Sequence, residues 1–305
     1  MARYSPGLDK LPNEILAGVL APLSARELIV ITSVSRRFYS VAVRLLYRRL
    51  LATASLPDNE LILECYHPSA KISTPYLCCR YLGTKLADGG AVDEQSPTLG
   101  DLLRLYSSFR PVLAEENRRR RFGPKPPPAA ISWPEGRRGD EVAVQEVFLD
   151  EGELLTQLCA VTNVVKESSR PGCYVSHVNT CDGVVRIWRE RLAALAGAST
   201  VREDEPGSSS AVDFGSFLWV DPGKSVGLRF CVRESPSERM PLISGPGDEA
   251  PVSYSLVYEE LLVRTSMLLF AVEASAVREV ARSSKAVVIS HWTRQLSAGN
   301  RYGGA

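Results

Sequence analysis

The apolar positions are densest between Leu8 and Leu50, where they fall into three short stretches with helical spacing. Ile15, Leu16, Val19 and Leu20 form the first. Pro12 suits its opening turn, where a missing N–H leaves nothing unpaired, and Pro22 closes it. Ser24-Ala25-Arg26-Glu27 is a capping box that starts a second helix carrying Leu28, Ile29 and Ile31. Ser35 caps a third, in which Phe38, Val41, Ala42, Leu45 and Leu46 build one apolar face. A unit of roughly forty residues is at the lower limit for folding alone. Leu11, Pro12, Ile15, Leu16 and Val34 nevertheless add apolar surface at its edges. Such an excess calls for a cover, either a partner or the C-terminal part of the same chain.

Downstream the pattern changes twice. Residues 53–121 read as a connecting region. It holds short apolar pieces at Leu61–Leu63 and Tyr76–Tyr81, a loop from Gly83 to Pro97, and a helix near 98–117. That helix carries Leu99, Leu102, Leu103, Tyr106, Phe109 and Leu113, with a kink at Pro111. Residues 122–140 are rich in Pro and Gly without periodicity, and read as a linker. This segment argues against tight cover of the N-terminal unit by the distal region. Leu11, Pro12, Ile15 and Leu16 are therefore expected to stay exposed.

Residues 141–293 then turn β-rich. Val142, Val144 and Val147 are β-prone, Asp150–Leu158 is helix-prone, and Cys159–Val165 and Cys173–Val178 are strand-like. Asp182-Gly183 is a hairpin-type dipeptide. A strand from Val184 runs into a short helix through Leu195. Asp221-Pro222-Gly223-Lys224 turns a hairpin whose second arm alternates Val226, Leu228, Phe230 and Val232. Ser253–Val280 fits strand and helix equally well, Lys285–Trp292 reads as a closing strand, and 294–305 is a flexible tail. The fold class expected is α+β: three N-terminal helices over residues 5–52, a helical connector, then a β-rich C-terminal domain.

The N-terminal motifs carry a resemblance. LPNEIL, a Leu-Ser-x-x-Glu-Leu turn, Val-Ser-Arg-Arg-Phe and LLYRRL, in that order and spacing, resemble an F-box. The one departure is Val34-Ser35 where that family often has Cys before the basic pair. The resemblance implies docking onto a Skp-type adaptor and, through it, a cullin, with an unknown target protein held for ubiquitination. The positions that match the family's adaptor-facing residues are Leu11, Pro12, Glu14, Ile15, Leu16, Leu28, Val34, Arg37 and Phe38. Residues 145–292 are also similar to the C-terminal regions of a filamentous-fungal group of F-box proteins, which makes a β-sandwich of the F-box-associated sort one expected architecture.

Composition narrows the rivals. The chain has 305 residues and a net charge of +1, so nothing draws it as a whole toward nucleic acid or an anionic membrane. Residues 1–56 are locally basic, with eight Lys/Arg against three Asp/Glu, which reads as a solvated helical face. Arg118–Arg121 reads as a basic helix end, because no aromatic residues interleave with it. Met1–Lys10 is polar and resembles no secretory signal, and no apolar run approaches the ~20 residues of a membrane span. Seven cysteines without framework spacing point to reduced thiols in a cytoplasmic or nuclear protein.

No catalytic constellation emerges. Cys173, His177 and Cys181 share a parity on a continuous strand, but a zinc site needs about four ligands and no close fourth is present. Cys78-Cys79 point apart in a strand and chelate poorly. The three histidines lie in no nucleophile motif, and the chain has no GxSxG, Walker A or HExxH sequence. The expectation is a non-catalytic receptor with no metal and no cofactor. The rivals are an F-box scaffold acting outside a ligase and a receptor for glycans or small ligands.

Overall fold

The computed structural model describes residues 11–71, 74–90, 97–113, 143–168, 174–201, 214–235 and 250–281. Three helices open it: α1 (Asn13–Leu20), α2 (Ala25–Ile31) and α3 (Arg36–Ala54). Their starts are those the sequence encodes. Ser24 and Glu27 complete the capping box of α2, and Ser35 accepts the Phe38 N–H at the head of α3.

Among the described residues, nine strands then form one antiparallel sheet. They are β1 (Glu60–Tyr66), β2 (Leu77–Leu86), β3 (Leu105–Leu113), β4 (Val144–Leu149), β5 (Leu155–Glu167), β6 (Tyr174–Trp188), β7 (Leu218–Trp219), β8 (Val226–Ser235) and β9 (Val252–Arg264). Their order is β6-β5-β1-β2-β3-β9-β8-β7. β3 and β4 share one edge of β9, through Leu261–Arg264 and Val252–Val257 respectively, while β8 takes the other edge. Two helices interrupt the strands, α4 (Leu99–Leu103) and α5 (Arg189–Val201), and a longer one, α6 (Thr265–Ala281), follows β9.

The β-sandwich expectation gives way to a single sheet that curls on itself. Leu63 on β1, Leu158 on β5, Ile187 on β6, Leu228 on β8 and Leu256 on β9 all enter one core, which a flat sheet cannot arrange. The two edge strands meet at Gly183 on β6. A Cβ there would lie 2.7 Å from both the carbonyl oxygen and a methyl of Val220, just past β7. Asp182-Gly183 is thus no hairpin turn. The glycine sits in the middle of β6 because another backbone passes against it.

The connecting region is also redrawn. β1, β2 and β3 are central strands, so the sheet spans Glu60 to Arg264 and the domain boundary expected near 141 falls inside it. The helix expected near 98–117 shrinks to α4, and Leu105–Leu113 is strand. β3 lies between β2 and β9, and eight of its nine residues are buried. Burial on both faces removes the alternation that would mark a strand. Pro111 lies beyond Phe109, the last β3 residue paired with β9, where that edge is already open. Asp150–Leu158 is likewise a turn followed by β5, whose inward side alternates Thr156, Leu158, Ala160 and Thr162. The two threonines, which hide the apolar alternation, have different surroundings: Thr162 bonds Thr180 across the strands at 2.8 Å.

Ser253–Val280 resolves into β9 followed by α6, with the change at Thr265, whose buried hydroxyl bonds Ser107 at 3.0 Å. The 122–140 segment, Arg118–Arg121, the strand expected at Lys285–Trp292 and the 294–305 tail lie outside the described residues.

α6 joins the two halves of the molecule. Leu268 and Ala271 enter the sheet core, whereas Leu269 enters the core of the N-terminal helices with Phe270 packed against it. A helix apolar on all sides needs such cover on all sides. Cys65 and Cys79 also face the sheet core. Burial pushes the Cys65 thiol up to about 12 and moves that of Cys79 in the same direction. At pH 8 we expect iodoacetamide to label both on the order of 100 times more slowly in the native than in the unfolded protein, read by mass spectrometry. For Cys65 the associated stability is complete below the ordinary thiol value of 9.0 and is lost as pH rises from there toward about 12.

Candidate docking face on the N-terminal helices

The three helices close around their own core of Leu16, Leu20, Leu28, Phe38, Val41 and Leu46. This divides the nine candidate residues. Leu16 and Leu28 have no exposed surface and Phe38 very little, so they shape the unit from inside. The expectation that Leu16 stays exposed is corrected here: it faces the other helices of the unit. Pro12, Glu14, Ile15 and Val34 are exposed, and Leu11 and Arg37 are half-buried.

Arg37 has a structural part that spacing does not reveal. Its Nε donates to Asn13 Oδ1 at 2.9 Å, and a terminal nitrogen donates to the Leu11 carbonyl. The head of α3 is thereby tied to the head of α1. The Leu11 carbonyl precedes the helix, so the guanidinium satisfies a group the helix cannot.

What remains outside is strongly apolar. Ile15 is 54% exposed, Val34 66% and Val30 70%, with Val19 and Ile29 nearly half exposed. Ile15 and Val19 are one helical turn apart and share a face. Val19, Ile29 and Val30 are absent from the nine candidates, although a signal for the last two exists. Leu28-Ile29-Val30-Ile31 is four apolar residues in a row, and a seven-residue helix lying on one side of a core cannot bury all four. The turn-facing acid is held in place too: the Ser24 hydroxyl and then its backbone N–H bond Glu27, keeping that carboxyl below its ordinary value.

The rest of the chain covers a different side. Glu273 on α6 accepts the Ala25 N–H at 3.0 and 3.1 Å, satisfying a free donor at the head of α2. It also pairs with Arg49 of α3 at 3.2 Å, and Arg49 donates onward to the Ala21 carbonyl. Arg26 lies 5.7 Å from the centre of the Phe270 ring. The helical unit is therefore seated on α6, contrary to the loose attachment expected from the linker, while Ile15, Val30 and Val34 remain open to solvent. We expect Glu273→Ala to cost about 1–3 kcal/mol, because it removes a hydrogen-bonded charge partner from two groups. Differential scanning calorimetry checks this, and an unchanged transition would show that the seat does not depend on Glu273.

The cysteine and histidine set does not assemble. Thr162 faces Cys181 while Asn163 faces Asn179, so a bulge at Thr180 breaks the parity that would align His177 with Cys181. Cys173 lies outside the described residues. Among the described residues no group of three or more His, Cys, Asp or Glu is placed to hold a metal ion. No helix among them is long and apolar enough to cross a membrane.

A family model described as F-box-like matches residues 8–53, which take in α1, α2 and all of α3 but its last residue. Comparison with curated proteins finds no match, and neither does comparison with solved structures.

Proposed function

We propose, on the premise that the F-box-like domain at residues 8–53 makes this chain an F-box protein, that it is the substrate-receptor subunit of a Skp-cullin-F-box ubiquitin ligase. The observation that carries the reading is the coincidence of that domain with five exposed aliphatic side chains, Ile15, Val19, Ile29, Val30 and Val34. An apolar surface of this kind on a folded unit is the mark of a binding site.

In this reading a Skp-type adaptor covers Pro12, Glu14, Ile15 and Val34, with Leu11 at the margin, and a cullin joins through the adaptor. Leu16, Leu28 and Phe38 hold the helices apart at the right spacing, and Arg37 fixes the heads of α1 and α3 together. The chain makes and breaks no bonds. It acts by holding a target protein beside the ubiquitin-charged enzyme, which raises the effective concentration of the reacting lysine. The work takes place in cytoplasm or nucleus and needs no cofactor, metal, nucleic acid or membrane.

The test is affinity purification of the tagged full chain under proteasome inhibition, followed by mass spectrometry. Adaptor and cullin are both expected to co-purify, and the reconstituted complex is expected to transfer ubiquitin to a co-purifying protein. Adaptor without cullin would replace the ligase by an F-box scaffold. Neither protein would overturn the docking reading altogether.

A further inference from the structure

α3 carries five arginines and no acidic residue over its 19 positions. The structure sorts them. Arg37 is bound to Asn13 and the Leu11 carbonyl, and Arg49 to Glu273 and the Ala21 carbonyl. Arg36, Arg44 and Arg48 make no hydrogen bond or ion pair among the described residues, and all three are exposed. Together with the exposed Ser40 they follow one another at four-residue intervals. They therefore form one row on the helix surface, about 18 Å from end to end.

Nothing among the described residues balances this row. α1, α2, α4 and α6 pack against α3. Glu27 on α2 is held by Ser24, Asp101 on α4 by Thr98, and Glu273 on α6 by Arg49 and Ala25. The row is also costly to the helix that bears it. Arg36 opens α3 with no acid in the first turn, against the positive end of the helix dipole. Arg44 and Arg48 repel each other one turn apart. Local penalties that the chain itself does not offset are a mark of functional surface.

The row is continuous with the apolar docking face. Arg36 follows Val34 by two residues, so their Cα atoms lie within about 7 Å of each other. The neighbouring Arg37 reaches Asn13 at the head of α1, two residues before Ile15. Charge then selects the occupant: three cations in a line suit a run of carboxylates. A nucleic-acid strand fits less well, because the helix offers bases no exposed ring to stack on. Tyr47 is buried, and the half-buried Tyr39 accepts the Leu99 N–H.

We propose that Arg36, Arg44 and Arg48 bind an acidic segment of the same protein that covers Ile15 and Val34, and that the row speeds capture of this partner more than it tightens the final complex. That the partner is a Skp-type adaptor rests on the receptor reading above; the acidity of its segment does not.

The test compares the wild-type full chain with a triple variant, Arg36→Gln, Arg44→Gln and Arg48→Gln. Arg186→Gln is the control, since Arg186 is exposed on β6 and also has no partner among the described residues. Association with a purified Skp-type adaptor is followed by stopped-flow fluorescence at about 50 mM and about 1 M NaCl. At the lower salt the triple variant is expected to associate at least about tenfold more slowly, with dissociation changed by less than about threefold. At the higher salt the difference should shrink below about twofold, because ions screen the row. Arg186→Gln should match the wild type. The triple variant should melt at or above the wild-type temperature, since a like-charge pair is relieved. Fluorescein-labelled polyglutamate probes the row directly, and at the lower salt it should bind the wild type at least about fivefold more tightly than the triple variant. A short oligouridylate should bind more weakly than polyglutamate. Equal association rates for wild type and triple variant, or an equal loss in Arg186→Gln, would overturn the proposal and leave the receptor reading standing. Tighter binding of oligouridylate would overturn it in favour of a nucleic-acid site. A wild type that ignores the adaptor but binds polyglutamate through the row would remove the receptor reading and keep the acidic-segment site, and failure with both ligands would remove both.

Discussion

Ile15→Asp combined with Val34→Asp is expected to weaken adaptor binding by about 10²–10³-fold while the protein melts where the wild type does. Both side chains face solvent in the chain alone, so carboxylates at these positions stay hydrated and cost the fold little. In a complex, each would be stripped of water against an apolar partner surface without a counter-charge, at roughly 2 kcal/mol or more apiece. Two such losses on one face account for the factor. Isothermal titration with a purified Skp-type adaptor reads the affinity, and scanning calorimetry reads the fold. Wild-type affinity in the double variant would place the docking surface elsewhere. A lowered melting temperature would mean that these residues support the helices and do not face a partner.

Leu28→Ala is expected to do the opposite, destabilising the protein by about 2–5 kcal/mol. Leu28 has no exposed surface and sits among Leu16, Phe38 and Val41, so truncation leaves a hole lined on every side. For a chain of this size the melting temperature should fall on the order of 10 °C. Adaptor binding should weaken only as far as the helices loosen, and a second ligand-independent probe such as near-ultraviolet circular dichroism would register the same change. A drop of less than about 1 kcal/mol would mean that the site collapses around the cavity, and that Leu28 is less central than its burial suggests.

The contrast between these two variants also marks what the sequence could convey. Local signals were reliable: Ser24 with Glu27, Ser35, and the Asp221–Lys224 turn each formed the structure that their chemistry requires. Apolar spacing located the three helices but could not separate Leu16 from Ile15, because neighbours on a short helix turn by only 100° and the choice depends on which other helix arrives. Long-range pairing was the larger loss. β3 shows helical spacing because both of its sides are buried, and residues 53–121 read as a connector because their partners, β5 and β9, lie about a hundred or more residues further on. Gly183 reads as a turn because nothing local announces the Val220 backbone that passes against it. Nothing in the local sequence marks Glu273: its partners, Ala25 and Arg49, are 248 and 224 positions away.

The seating of the N-terminal helices on α6 bears on how such a receptor would choose a lysine. A head joined to its body by a slack tether sweeps a volume, and any lysine within that volume can be modified. Here the joint has Leu269 buried within it, Phe270 packed beside it and Glu273 bound to two helices at once, so there is little slack to sweep with. Once the head is held, the body points in one direction at one distance. In the receptor reading proposed above, the molecule would then work as a gauge, selecting lysines on a bound protein by their position in space.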